Sequence, residues 1–198
     1  MSAGAFKVYS DEELALETQG GSLSAFDEIV RRHESAIFRF VRSRVRQSND
    51  AEDIAQQTFV KAYQKINQFK FRYRFAPWLF TIARRLTIEH FRKNGGAGGT
   101  EAPEEFETKL PSDEIEAHES HRELWRQIRD LVPEQTATAL WLKYEEQLSV
   151  AEIAKVIGRT TAHTKVILHR ARKQLAEQLK IEQSIPTPPP LPAIESNA

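Results

Sequence analysis

The chain has 198 residues, 40% of them hydrophobic and 28% charged, a balance that suits one ordinary folded domain or two small ones. There is no apolar run of about eighteen residues and no basic-then-apolar leader in MSAGAFKVYSDEELALE, so neither membrane insertion nor secretion is expected, the expected location is cytoplasmic, and the lack of cysteine excludes disulfides and thiolate zinc sites. The formal net charge of zero hides an alternation: residues 24–94 carry fifteen basic and seven acidic side chains, residues 95–123 two and nine, and residues 124–180 ten and six.

The periodicity is helical almost throughout, which predicts an all-α protein. Ser10 followed by DEE opens a short helix that QGGS ends. Ser24, with Asp27 three residues on, is a candidate cap for a second helix running to QSND near residue 48. Its apolar positions Phe26, Ile29, Val30, Ile37, Phe40, Val41 and Val45 recur at threes and fours. A third helix is expected from Asp50, with Ile54, Ala55, Phe59, Ala62, Tyr63 and Ile66 facing inward.

NQFKFRYRFA is too irregular and too basic to prolong that helix, and Pro77 suits the first turn of the next, which extends to about Lys93. Within residues 72–93 lie five large rings and six cations, a mixture that neither a core nor a solvated face explains. Phe69, Lys70, Phe71, Arg72, Tyr73, Arg74 and Phe75 alternate ring and cation ahead of the helix. On the helix, Leu79, Ile82, Ala83, Leu86 and His90 share one side, and Trp78, Thr81, Arg85, Ile88 and Arg92 another. Rings alternating with cations suit single-stranded nucleic acid, because each ring can stack on an unpaired base for roughly 1–3 kcal/mol while the cations neutralise phosphates.

GGAGG stops the helix, and residues 94–114, acidic and poor in apolar side chains, are expected to form a flexible linker. A second helical domain is expected over 115–181, with helices at 115–131 and from Pro133 to Tyr144 and then two short ones; the proline-rich residues 182–198 read as a disordered tail. In LSVAEIAKVIGRTTAHTKVILHRARKQL, Ser149 and Glu152 fit a capping box, Ile153, Ala154 and Ile157 an inner face, Gly158 a sharp exit and Thr160 a second cap. Thr164, Leu168, Ala171 and Leu175 then form one stripe. Two helices joined by a glycine turn, the second basic outside, describe a helix-turn-helix for duplex DNA. Thr161, Ala162, His163 and Lys165 would approach bases, with His169, Arg170, Arg172 and Lys173 also on the exposed basic side.

Taken in order, DAEDIAQQTFVKAYQKI, FAPWLFTIARRLTIEHFRK and VPEQTATALWLKYEEQLSVAEIAKVIG with HRARKQL resemble the extracytoplasmic-function sigma factors, two-domain members of the sigma-70 family of bacterial RNA polymerase subunits. The resemblance covers residues 10–180 and implies two small helical domains: a sigma-2-like bundle over 1–93 and a sigma-4-like helix-turn-helix. It implies that Asp50, Glu52, Asp53, Gln56 and Gln57 meet the clamp helices of the polymerase large subunit, that residues 69–75 with Trp78, Thr81, Arg85 and Arg92 open and read the minus-ten element, and that the helix-turn-helix reads the minus-thirty-five element. Expected partners are core polymerase, including its flap, promoter DNA in double- and single-stranded form, and an anti-sigma factor; no cofactor, metal or catalytic residue is expected. Arg85, where many members have asparagine, Gln57 in place of a common glutamate, and Ile167 in place of a frequent arginine depart from the family pattern.

Other readings of single features are blander. His90 fits a satisfied core histidine, Asp50 and Asp53 could only complement a helix dipole, and His118 with His121 make a poor metal pair. The helix-turn-helix alone also fits a stand-alone DNA-binding regulator, which would bind duplex DNA unaided.

Overall fold

The computed structural model describes residues 8–45, 47–93 and 112–183, and for 112–120, 122 and 179–183 the backbone alone. Regular structure among these residues is helical: α1 (Asp11–Gln19), α2 (Leu23–Arg42), α3 (Ser48–Gln64), a 3-10 turn (Ile66–Gln68), α4 (Phe75–Lys93), α5 (Ser112–Leu131), α6 (Glu134–Tyr144), α7 (Val150–Ile157) and α8 (Thr161–Gln183).

Local chemistry sets the boundaries. Ser10 and Glu13 close a full capping box on α1, the Ser10 N–H donating to the Glu13 carboxylate at 2.7 Å. Gly21, at φ +96°, then turns the chain where a Cβ would be strained. That turn leaves Ser22 extended, so Ser22 rather than Ser24 caps α2, its hydroxyl accepting from the Ala25 N–H at 3.3 Å. Asp27 thus falls outside any capping position. α2 also ends earlier than its apolar pattern suggests, at Arg42, because the Ser43 hydroxyl and the Arg44 guanidinium both donate to the Phe40 carbonyl (2.9 and 2.7 Å). α3 starts two residues before Asp50, which places that carboxylate in the first turn, favourable to the helix dipole. α8 is no short helix: it has 23 residues and continues to Gln183. Of the linker expected over 94–114, residues 94–111 lie outside the described residues and 112–114 belong to α5; of the disordered tail expected over 182–198, residues 182 and 183 end α8 and the rest lie outside the described residues.

Helices α1 to α4 enclose one core, with Leu14, Ile29, Ile37, Phe40, Phe75 and Leu79 fully or almost fully buried. Each such side chain contributes about 1.5–3 kcal/mol through apolar burial. α5 to α8 enclose another around Trp125, Leu140, Trp141, Leu142, Ile153 and Leu168. The two cores join where α7 packs on α4 and where the ring of Trp141 meets Phe40 edge-on, centroids 6.4 Å apart.

α1 and α2 are tied by charge. The Glu28 carboxylate accepts from Arg31 Nη2 at 2.6 Å and Arg32 Nε at 2.8 Å, and Arg32 continues to Asp11 at 3.0 Å. Hydrogen bonds from Arg31, then from Arg32, hold the Glu28 pKa down to about 2. A carboxylate depressed on folding stabilises the fold above its unfolded pKa, and that contribution is lost as pH falls through the folded value. Glu28→Gln should therefore lower the melting temperature at pH 7, and the gap from the parent chain should close between pH 4.5 and about 2 in thermal melts.

Candidate nucleic-acid interface

The aromatic and basic segment divides into a supporting layer and an exposed one. Phe69 and Phe75 are 4% and 0% exposed, whereas Phe71 and Tyr73 are 52% and 41% exposed. This corrects the expectation that every ring of residues 69–75 is available to stack on bases. Phe69 and Phe75 lie 5.4 Å apart between centroids and both meet the half-buried Trp78, at 5.6 and 5.4 Å, forming a three-ring floor. The chain is extended at Phe69 and then turned by the Tyr73 N–H to Lys70 carbonyl bond of 2.9 Å, so the outer rings anchor the loop's ends and the middle ones project.

The loop is pinned from α1. Gln19 Nε2 donates to the carbonyls of Ile66 and Phe69 at 2.7 and 3.0 Å. Glu12 Oε1 accepts the Phe75 N–H at 2.8 Å, satisfying an orphan amide at the start of α4, and sits 3.3 Å from Arg74 Nε. Neither Glu12 nor Gln19 stands out in the sequence, because both partners are more than forty residues away. Lys70, Arg72 and Arg74 are exposed around Phe71, and Arg72 lies with its guanidinium carbon 4.9 Å from the Tyr73 ring centre. On α4, Arg85 and Arg92 are exposed, Trp78 and Thr81 half-buried, and the Thr81 hydroxyl donates to the Pro77 carbonyl at 2.8 Å. Leu79, Ile82 and Ala83 face the core as expected.

Glu52, Asp53, Gln56 and Gln57 form an exposed polar row on α3, which Val60 extends at 55% exposure. Tyr63, expected to face inward, is 41% exposed and packs its ring against Phe26 at 5.0 Å instead. Asp50 is half-buried, its Oδ2 3.6 Å from Nε2 of His90, which is itself half-buried rather than in the core. Asp50, Asp53 and Gln57 border a shallow groove shared with Glu89 and His90 of α4.

The second basic region is a helix-turn-helix. The Ser149–Glu152 capping box is complete, the Ser149 N–H donating to Glu152 at 2.8 Å. Gly158 adopts φ +68°, and the Arg159 N–H returns to the Ala154 carbonyl at 2.8 Å, which closes α7 and aims the chain into α8. Gln135 of α6 braces the turn by donating to the Ile157 carbonyl at 2.9 Å and accepting from Arg159 at 3.2 Å. The Thr160 hydroxyl accepts the His163 N–H at 3.2 Å. Thr164, Leu168 and Ala171 are buried, while Thr161, Ala162, His163, Lys165, His169, Arg170, Arg172 and Lys173 are all exposed. An exposed helix of this kind fits a major groove about 12 Å wide. Lys173 lies 3.9 Å from Glu177, a weak exposed contact.

His121 bonds to Glu145 at 2.9 Å, an oxygen that also accepts from Trp125 Nε1 at 3.0 Å, so its role is in packing. No cluster of three metal-ligating side chains occurs among the described residues, where the His118 side chain is not included. No described helix is long and apolar enough to cross a membrane.

Comparison with known proteins assigns both halves. The Sigma-70 region 2 family matches residues 29–96, and the Sigma-70, region 4 family matches residues 122–175. The chain is 30% identical over 176 residues to the ECF RNA polymerase sigma factor SigW of Bacillus subtilis, spanning 83% of this chain and 94% of the relative. It is 30% identical over 172 residues to the ECF RNA polymerase sigma factor BldN of Streptomyces coelicolor, spanning 84% of this chain and 65% of the relative. In fold it is similar to CnrH, solved in complex with the cytosolic domain of CnrY, with a TM-score of 0.68 at 23% identity over 87% of this chain and 98% of that one. It is likewise similar to the sigma factor RpoE, solved with the anti-sigma factor NepR from Bartonella quintana, with a TM-score of 0.63 at 22% identity over 81% and 99%.

Proposed function

Since the chain belongs to the ECF RNA polymerase sigma factors of the sigma-70 family, and so directs promoter-specific transcription initiation, we propose how its residues divide that work. Residues 1–93 bind core polymerase and open the minus-ten element, and the second half, from α5 to α8, reads the minus-thirty-five element as duplex.

One observation carries the reading: Phe71 and Tyr73 project from a cationic loop that Glu12 and Gln19 hold from beneath. Duplex DNA offers no open base face to such rings, whereas a melted strand does. Extruding a base costs a few kcal/mol, and capture by stacking, with Lys70, Arg72 and Arg74 on the phosphates, offsets about that amount. Strand opening then follows from trapping unpaired bases, with Trp78, Thr81, Arg85 and Arg92 along the adjoining face of α4. Thr161, Ala162, His163 and Lys165 at the start of α8 face base edges upstream, while His169, Arg170, Arg172 and Lys173 lie toward the backbone.

The exposed row Glu52, Asp53, Gln56 and Gln57, with Asp50 at its edge, is the surface for cationic side chains of the polymerase clamp helices. The flap is the expected contact of the helix-turn-helix half. An anti-sigma factor is a further partner, a proposal supported by the similar fold of RpoE, solved with the anti-sigma factor NepR. The chain acts with polymerase in the cytoplasm and carries no catalytic group of its own.

In reconstituted transcription, core polymerase with this chain should initiate at a restricted set of promoters, and mapping their starts would give both elements. The purified chain alone should hold duplex promoter DNA only weakly; tight, polymerase-independent binding would favour a stand-alone regulator.

A further inference from the structure

Helix α1 lies ahead of the segment matched to Sigma-70 region 2, which begins at residue 29, so the family assignment gives it no part in the work. Its inner side is fixed, with Leu14 and Ala15 fully buried and Thr18 4% exposed. Its start is tied to α2, where the Asp11 carboxylate meets His33 Nε2 at 2.8 Å and Arg32 at 3.0 Å, and Arg32 also donates to the Tyr9 carbonyl at 2.7 Å.

From that anchored helix two side chains reach the two ends of the ring-bearing loop. Gln19 Nε2 bonds to the carbonyls of Ile66 and Phe69 where the loop begins, and the Glu12 carboxylate accepts the Phe75 N–H where it ends. Positions 12 and 19 are seven apart, close to two turns, so they share one side of α1 at points about 10 Å apart along its axis. A helix does not stretch easily, and this spacing therefore acts as a rigid measure between the loop's two ends. The exposed Phe71 and Tyr73 lie in the chain between those two attachments.

Glu12 is otherwise out of place. A carboxylate beside a loop of exposed cations opposes the approach of phosphates, and this one stands 3.3 Å from Arg74 Nε with 17% of its side chain exposed. What it holds accounts for its position: an amide that would be an orphan at the start of α4, and the guanidinium beside it.

We propose that Glu12 and Gln19 are positioning residues for promoter opening, and that α1 is a strut fixing the loop of residues 69–75 in its base-capturing form before DNA arrives. A loop that must order as it captures a base loses part of the stacking energy to lost conformational freedom, whereas a loop already held keeps it. Loosening either attachment lowers capture by the fraction of chains whose loop stays competent. The exposed rows on α3 and α8 are untouched by such a change. The proposal rests on the sigma-factor reading for what is captured, and the hold of α1 on the loop can be measured without it.

Holoenzyme made with the parent or a variant chain is titrated with a labelled single-stranded oligonucleotide carrying the minus-ten sequence of a mapped promoter. Gln19→Ala and Glu12→Ala should each weaken capture about tenfold, while competition for core polymerase stays within about twofold of the parent. Glu12→Gln, whose amide oxygen can still accept the Phe75 N–H, should recover most of the loss, which a purely electrostatic role would not give. In the free chain, hydrogen exchange over residues 66–75 should quicken about fivefold or more in both alanine variants and stay unchanged in α8. Should an alanine variant misfold, Gln19→Glu, which keeps the size and replaces the donor by an acceptor, carries the test. Unchanged capture in the folded variants, tighter capture by Glu12→Ala, or an equal loss of core binding would overturn the strut. Failure of the parent holoenzyme to capture the strand would instead overturn the functional reading; quicker exchange in Gln19→Ala would still support the hold on the loop, and unchanged exchange would overturn it.

Discussion

Phe71→Ala should leave the melting temperature of the free chain within about 1 °C of the parent while reducing open-complex formation about tenfold, and Phe75→Ala should do the reverse in order of cause. Phe71 is 52% exposed and touches little of the core, so its truncation removes stacking on a captured base, worth roughly 1–3 kcal/mol, and little else. Phe75 is fully buried against Phe69 and Trp78, and losing its ring leaves a cavity that costs about 3–5 kcal/mol. For a helical unit of this size that loss lowers the melting temperature by roughly 10 °C or more. Permanganate reactivity of promoter thymines reads opening, and calorimetry of the free chain reads stability. If Phe71→Ala opens promoters as well as the parent chain, stacking by this loop is not the source of melting.

Asp53→Lys should weaken association with core polymerase by about thirtyfold, near 2 kcal/mol, as expected for replacing one member of a close interfacial charge pair by a like charge. Asp53 is exposed on α3, beyond its first turn, so the substitution should leave the fold intact. Competition for polymerase against a labelled parent chain measures the loss. It should shrink as salt is raised, since an exposed charge is screened within about 10 Å at 0.1 M. Gln56→Ala, which removes a neutral contact on the same face, should have a smaller and less salt-dependent effect. Equal competition by Asp53→Lys and the parent would move the polymerase contact off this row.

Helices, caps and the helix-turn-helix were legible from sequence because they rest on interactions within a few residues: Ser10 with Glu13, Ser149 with Glu152, Gly158 at its positive φ, and apolar positions three and four apart. The exposed rows on α3 and α8 followed from the same period, since a residue opposite a buried stripe must face out. The loop of residues 69–75 marks the limit of that logic. Composition identified its rings and cations, but only packing against α1 and α4 distinguished Phe69 and Phe75 as foundation from Phe71 and Tyr73 as surface.

The sequence by itself determined an all-helical chain, its family and the chemistry of both basic regions, because periodicity, capping and ordered motifs are properties of neighbouring residues. The tertiary structure alone decided that Glu12 and Gln19 hold the loop, that Ser22 caps α2, and that Arg44 is buried beside Phe40 and Trp141 where the two helical halves meet. Those outcomes depend on residues brought together from 47 to 97 positions apart, or on a turn whose geometry the neighbouring packing selects, and local propensity carries no information about such meetings.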